Sequence, residues 1–87
     1  MYNVELTDTF AGEANYSWVR RAAIEEPGHF PKTTGEHKAR QRLIMRRAKA
    51  AVGMSGVRGV TQNYGDTYEF RPYGACVVLF VTWSDEN

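Results

Sequence analysis

The stretch TTGEHKARQRLIMRRAKAAVG, residues 33–53, decides the fold because it is the only long helical pattern in this 87-residue chain. Thr33 followed three residues later by Glu36 is the pattern of a capping box, in which each side chain accepts a hydrogen bond from a backbone N–H of the first turn. Gly53 suits the position after the last turn, since glycine adopts a positive φ at no steric cost. Strong helix formers fill the interval. We therefore predict one helix over about residues 34–52.

A turn of about 100° per residue sorts the side chains of this helix into faces. The predicted apolar stripe has Ala39, Leu43, Ala50 and Met54 at one edge and Ile44, Ala48 and Ala51 at the other. Arg40 and Arg47 fall inside this stripe. Their stems are expected to cover the sheet while their charged ends reach water. The alternatives are pairing with a sheet carboxylate such as Glu69 or Asp66, or contact with a ligand.

Sequence patterns typical of β-strands flank the helix on both sides. Tyr2, Val4 and Leu6 alternate with polar residues, which predicts a half-buried strand. Aromatic and β-branched residues favour a strand over residues 15–24, with a short amphipathic helix from Trp18 to Glu25 as the alternative. Turn residues are expected over residues 8–14 and a loop over residues 25–32. The predicted strands are residues 2–7, 15–24, 56–61, 67–71 and 75–83.

The last of these segments, ACVVLFVTW, is almost wholly apolar, which is typical of a strand covered on both faces. The helix can cover one face. The other could be covered by a curl of the sheet, by the loop over residues 25–33, or by a second subunit. A homodimer through Val77–Trp83 is therefore one expectation.

Together these elements predict a single domain, residues 1–87, of the α+β class: two layers, with a mostly antiparallel sheet of about five strands in the order ββαβββ and one long helix on one face. The chain has 43% hydrophobic and 24% charged residues and a formal net charge of +1, which is ordinary for a soluble domain. No apolar run reaches membrane-spanning length. The first ten residues alternate and carry acids, unlike a secretion signal. The single cysteine, Cys76, suits a reducing cytosol. We expect a cytoplasmic protein without a membrane partner.

Catalytic and metal-binding patterns are weak. His29 and His37 lack the spacing of metal ligands, and Cys76, placed in an apolar strand, has no sign of a neighbouring base. The glycines of GMSGVRGV, residues 53–60, follow a helix, whereas those of a phosphate loop precede one. We expect a protein that is not an enzyme and that uses neither cofactor nor metal.

The basic helix is the best functional signal. Lys38, Arg42, Arg46 and Lys49 are predicted to project from one side, where they could follow a phosphate backbone. A solvated face that serves solubility is the plain alternative. Aromatic residues of the sheet or loops, of the kind that dominate binding hot spots, are the other candidates: Trp18, Tyr64 and Tyr73. Tyr16, Tyr68 and Phe70 are further candidates as stacking platforms, although alternate aromatics in a two-layer domain more often belong to the core.

With DTFAGEANYSWVRRA at residues 8–22, a basic helix and a terminal apolar strand, this small chain resembles the accessory proteins of phages and mobile elements. Anti-CRISPR inhibitors are the best-known class of these. The resemblance implies a non-catalytic binding protein that occupies a protein or nucleoprotein surface. Many such inhibitors are acidic, and this chain departs from that pattern. The alternative is a small nucleic-acid-binding protein that uses the helix over residues 38–49.

Overall fold

The computed structural model describes residues 1–26, 28 and 31–84. The predicted ββαβββ order and the α+β class are confirmed. A single sheet has the strand order β2-β1-β5-β4-β3, and each neighbouring pair is antiparallel. The elements are β1 (Tyr2–Phe10), β2 (Glu13–Ile24), α1 (Thr34–Ala51), β3 (Gly59–Asn63), β4 (Thr67–Pro72) and β5 (Val77–Trp83).

The first hairpin is longer than its sequence pattern indicates. Residues 15–24 belong to strand β2, as predicted, and the helical alternative is wrong. The turn expected over residues 8–14 is shorter, because β1 continues to Phe10 and only Ala11 and Gly12 connect the strands. Both have positive φ, 52° and 83°. This is the backbone of the two-residue hairpin turn whose twist matches that of the strands.

The helix bounds agree with the prediction to within a residue. Thr33 Oγ1 accepts a hydrogen bond from the Glu36 N–H at 3.1 Å, and the Glu36 carboxylate accepts one from the Lys32 N–H at 2.7 Å. At the other end, the Gly53 and Met54 N–H groups donate to the carbonyl oxygens of Ala50 and Lys49, at 3.2 and 2.7 Å. Gly53 has a φ of 78°. The helix therefore ends in a Schellman motif.

The buried face of α1 is rotated from the predicted stripe. Ile44, Met45 and Ala48 are buried, and Val52 extends the same face at the helix end. Larger side chains explain the rotation, since Met45 and Val52 remove more apolar surface from water than an alanine methyl can. Four residues assigned to the stripe are exposed instead: Ala39, Arg47, Ala50 and Ala51.

The two arginines of the predicted stripe differ in burial and in ion pairing. Arg40 is half-buried, and its Nη2 lies 3.1 Å from the Glu26 carboxylate, so it pairs with the loop before the helix. The suggested sheet partner, Glu69, forms its ion pair with Arg71 at 3.2 Å. Arg47 is exposed on the helix surface.

Strand β5 is the central strand, between β1 and β4. The core joins buried side chains of α1 to β1, β4 and β5, with Val4, Leu79 and Val81 fully buried under the helix. Val78 points to the opposite face of β5, away from α1, and it is also fully buried.

The first hairpin reaches across that opposite face. Arg71 on β4 donates from Nη1 to the carbonyl oxygen of Gly12 at 2.7 Å. Because β5 lies between β1 and β4, this bond crosses above β5. This bond supports the curl of the sheet as a cover for β5. The loop over residues 25–33 lies partly outside the described residues, and the homodimer through Val77–Trp83 stays a prediction.

Strand β3 begins at Gly59 rather than at residue 56. At this glycine the backbone of β4 approaches closely. A Cβ atom at position 59 would overlap the carbonyl oxygen of Arg71 and lie 2.6 Å from Cα of Pro72. Within the described residues, no helix combines the length and the apolarity that crossing a membrane requires.

Candidate binding surfaces

Lys38, Arg42 and Arg46 follow one another along the solvent side of α1, one every four residues. Four residues advance a helix by about 6 Å, so the three charges form a row. Within the described part of the chain, no ion pair or hydrogen bond engages these side chains. The row is thus available to an anionic partner.

Lys49 does not project with this row, and the predicted geometry is wrong for it. Its side chain is half-buried, and Nζ donates to the carbonyl oxygen of Val57 at 3.0 Å. The same ammonium group lies 4.6 Å from the centre of the Phe70 ring. The cause is the rotation of the helix, which turns the side carrying Met45 and Lys49 toward β4. Lys49 therefore ties the end of the helix to the sheet.

A groove runs between this side of the helix and strand β3. Its volume is about 500 Å³. We call it the basic groove; its lining residues are Gln41, Arg42, Met45, Arg46, Lys49, Ser55, Gly56 and Thr61. Its positive charge and polar edges fit an anionic ligand better than an apolar one.

A second hollow of about 350 Å³ continues toward the start of the helix and includes Lys38 and Tyr68. Gln41 lines both hollows, and its Oε1 accepts a hydrogen bond from Asn63 Nδ2 at 3.3 Å. Burial raises the pKa of the Tyr68 phenol. The two hollows together follow the helix along its β3 side.

Strand β2 carries an irregularity opposite Asp8. Thr7 pairs with Val19, but Thr9 pairs with Ala14, so residues 15–18 bulge out of the ladder. We call residues 15–18 the β2 bulge. Tyr16 has a φ of 54° within it, a backbone conformation that costs a bulky residue about 1–3 kcal/mol. Surrounding contacts must therefore hold it in place.

Side chains of β1 provide those contacts. The buried hydroxyl of Thr7 accepts from the Tyr16 N–H at 3.1 Å and donates to the Trp18 carbonyl oxygen at 2.8 Å. The Asp8 carboxylate accepts from the Ser17 hydroxyl, from the Ser17 N–H and from Asn15 Nδ2 at 2.9 Å. These donors, led by the Ser17 hydroxyl, lower the pKa of Asp8 from 3.8 to about 2. The bulge is thus built around a charged carboxylate.

The β2 bulge presents two aromatic side chains to solvent: Tyr16 is 51% exposed and Trp18 is 44% exposed. Bulges commonly serve to re-aim side chains beside functional sites. Two of the candidate stacking platforms belong to the core instead, since Phe70 is buried and Tyr68 is half-buried.

Tyr64 and Tyr73 lie in turns at opposite ends of β4 and are 60% and 70% exposed. The Tyr64 hydroxyl donates to Gln62 Oε1 at 2.9 Å, and the Tyr73 N–H donates to the Arg58 carbonyl oxygen. The predicted site residues therefore fall on separate surfaces. Arg42, Arg46 and Lys49 share the basic groove, Lys38 lies in the adjoining hollow, and Trp18 lies on the β2 bulge.

Sequence reasoning missed two features of these surfaces. Thr7 and Asp8 were interpreted as part of a strand and a turn, although together they hold the β2 bulge. Their one signal was a pair of hydrogen-bonding side chains facing the polar segment Asn15–Ser17 across a hairpin. The unpaired edge of β3, described below, has no sequence signal because strand order is a tertiary property.

Cys76 is exposed and precedes β5, so the prediction that it lies inside an apolar strand is wrong. No group of three or more His, Cys, Asp or Glu side chains within the described ranges could hold a metal ion. The expectation for His29 lies outside the described residues. Comparison with protein-family models, with curated proteins and with solved structures finds no match to the chain.

Proposed function

We propose that this protein is a non-catalytic binding protein that occupies the surface of a protein or nucleoprotein target. It acts as an inhibitor or accessory factor of the kind found in phages and mobile elements, of which anti-CRISPR proteins are one class. The observation that carries the proposal is the β2 bulge, where contacts from β1 hold Tyr16 and Trp18 in solvent.

Two physical arguments support a binding role for this bulge. Large aromatic side chains dominate binding hot spots because they bury much area with few rotatable bonds. A backbone already fixed by Thr7 and Asp8 loses less conformational freedom on association. A solvent-facing Trp18 beside the strained backbone of Tyr16 has no evident value for stability alone.

A photo-crosslinking amino acid at position 16 tests this proposal by capturing the target next to Trp18. The affinity of the identified target is then measured for the wild type and for Trp18→Ala. A hot-spot residue contributes about 2 kcal/mol or more, so we expect a loss of about 30-fold. Phe10→Ala, at the exposed hairpin tip, is the matched aromatic control. Unchanged affinity in the Trp18, Tyr64 and Tyr73 alanine variants would rule the proposal out.

A second candidate function, nucleic-acid binding, has its own observation in the unpaired row of Lys38, Arg42 and Arg46. Three neutralised phosphates give a salt dependence that weakens duplex binding about 40-fold between 50 and 200 mM salt. A titration with duplex DNA, single-stranded DNA and structured RNA at both concentrations measures this. Arg42→Glu with Arg46→Glu should abolish binding.

The matched control for that experiment carries the same change of charge away from the basic groove. Arg21 on β2 and Arg47 on the helix are both exposed, and neither lines the groove. Because Arg21 pairs with Glu5 at 3.0 Å, thermal unfolding must show that this variant is folded. Arg21→Glu with Arg47→Glu should retain most of the binding. Equal losses in the two double variants would mean that net charge, rather than this surface, attracts the nucleic acid.

A further inference from the structure

The two edge strands of the sheet, β2 and β3, differ in how well they are protected against pairing with another chain. Strand β2 carries charged residues and the β2 bulge, features that prevent an edge from pairing with another chain. Strand β3 has the sequence GVTQN, without a charge or a proline, and pairs only with β4. An edge of this kind is a template for an additional strand.

The register shows which backbone groups of β3 are unpaired. In an antiparallel pair, every second residue exchanges both of its hydrogen bonds with its partner. The Tyr64 N–H donates to Thr67 and the Tyr73 N–H donates to Arg58, at 2.8 and 3.0 Å. Every second residue inward from Tyr64 and Arg58 is hydrogen-bonded to β4, and within β3 these residues are Val60 and Gln62. The N–H and C=O groups of Gly59, Thr61 and Asn63 therefore point away from the sheet.

The two faces beside this edge differ in chemistry. Thr61 faces the helix and lines the basic groove with Arg42 and Arg46. Val60 points to the opposite face and is 46% exposed. Side chains of an added strand would alternate between these faces. Those opposite Thr61 would meet cations, and those opposite Val60 would pack beside the exposed Val60 side chain.

We propose that the β3 edge binds an extended segment of a partner protein by strand addition, and that acidic and apolar residues alternate along this segment. The acids lie opposite Gly59, Thr61 and Asn63, beneath Arg42 and Arg46. Main-chain hydrogen bonds then supply affinity, and the alternating side chains supply specificity. This inference rests on the proposed protein-binding function and names the chemistry of a second contact.

Charge argues against a second copy of this chain as the occupant. Antiparallel pairing of two β3 edges requires a two-fold axis perpendicular to the sheet, which places both helices on the same face. Arg42 and Arg46 of the two copies would then face each other across the new strand pair. Like charges in such positions are unfavourable.

Blocked peptides of about seven residues, short enough to match a strand of this length, test the inference on the full chain. The probe alternates Glu and Val. The controls alternate Lys and Val, place the Glu and Val residues in two blocks, or keep the Glu–Val alternation with N-methylated amides. We expect the Glu–Val probe alone to shift the amide signals of Gly59, Thr61 and Asn63 and to slow their hydrogen exchange. Equal binding of the N-methylated peptide, or unchanged exchange at these amides, would overturn strand addition.

Charge variants test whether Arg42 and Arg46 select the acidic side chains of the added strand. Arg42→Glu with Arg46→Glu should weaken the Glu–Val peptide about tenfold at low salt, through the loss of two attractive pairs. Arg21→Glu with Arg47→Glu should leave its affinity within about twofold. Similar affinities in both variants would show that the basic groove does not select the acids.

Two further outcomes separate this inference from others. A concentration-dependent doubling of mass that protects the same three amides without peptide would make a second copy the occupant and overturn the proposal. If the peptide fails to bind while Trp18→Ala still weakens the captured target, strand addition is wrong and the proposed function stands. If the Glu–Val peptide binds while Trp18→Ala leaves the affinity for the captured target unchanged, strand addition stands and the aromatic surface is not a binding contact.

Discussion

Gly59 occupies a position where only a hydrogen atom fits between two strands. A side chain there would meet the backbone of Arg71 and Pro72 on β4, which cannot rotate aside. We expect Gly59→Ala to lower the free energy of unfolding by about 1–3 kcal/mol, as overpacked sites do. Gly35→Ala is the control, since its Cβ would only reach ordinary contact with Thr33 at 3.9 Å. Denaturant unfolding that finds both variants equally stable would contradict this assignment.

Asp8 makes the β2 bulge sensitive to acid. Its pKa in the folded protein is about 2, below the ordinary 3.8, because Ser17 and Asn15 donate to the carboxylate. A lowered folded-state pKa stabilises the protein fully above about pH 4, and this contribution is lost as the pH falls through about 2. The stability difference between wild type and Asp8→Asn should therefore shrink between pH 4 and pH 2.

Titration of the Asp8 carboxyl group by NMR checks the same assignment directly. In Ser17→Ala the largest cause of the shift is removed, so the midpoint should move up toward 3.8. A wild-type midpoint near 3.8 would show that the carboxylate does not hold the bulge as described.

At the scale of elements, Lys49 joins the end of α1 to the segment that leads into β3. Lys49→Met keeps the aliphatic stem but removes the bond to Val57 and the contact with the Phe70 ring. We expect a loss of about 1–2 kcal/mol in the free energy of unfolding. Arg46→Met, one turn earlier and exposed, should change stability by less than about 0.5 kcal/mol. The reverse ranking in thermal or denaturant unfolding would show that Lys49 is a surface cation.

Comparing variants of Lys49 with variants of Arg42 and Arg46 separates effects on stability from effects on ligand binding in the basic groove. Arg42 and Arg46 have no partner among the described residues, so their loss should weaken a ligand without weakening the fold. Lys49 lines the same groove but also supports the helix end. Its variants must therefore be checked for stability before a lost affinity is assigned to ligand contact.

At the scale of the whole molecule, Arg71 holds the first hairpin over the face of the sheet that points away from α1. Arg71→Ala removes the bond to the Gly12 carbonyl oxygen. We expect faster hydrogen exchange around Ala11–Glu13 and at Val78, with a stability loss of about 1 kcal/mol. Arg21→Ala, on the same face, loses only an exposed ion pair with Glu5 and is the control. Unchanged exchange in Arg71→Ala would mean that the hairpin tip covers β5 without this bond.

Local sequence determined the elements of this protein, because capping residues, glycine at the helix end and period-two alternation act within a few positions of one another. The helix over Thr34–Ala51 and the five strands follow from these patterns. The row of Lys38, Arg42 and Arg46 follows as well, since their spacing is a property of one helix.

Only the tertiary structure decided how these elements face one another. The rotation of α1 depends on the shape of the sheet beneath it, which turned Lys49 inward and left Arg47 exposed. The β2 bulge depends on a register between strands, and the open edge of β3 depends on strand order. The contacts that hold the bulge span 7–11 residues, and those that set the helix rotation and the strand order join residues farther apart. The periodicity of a single segment does not depend on any of these contacts, so it could not predict them.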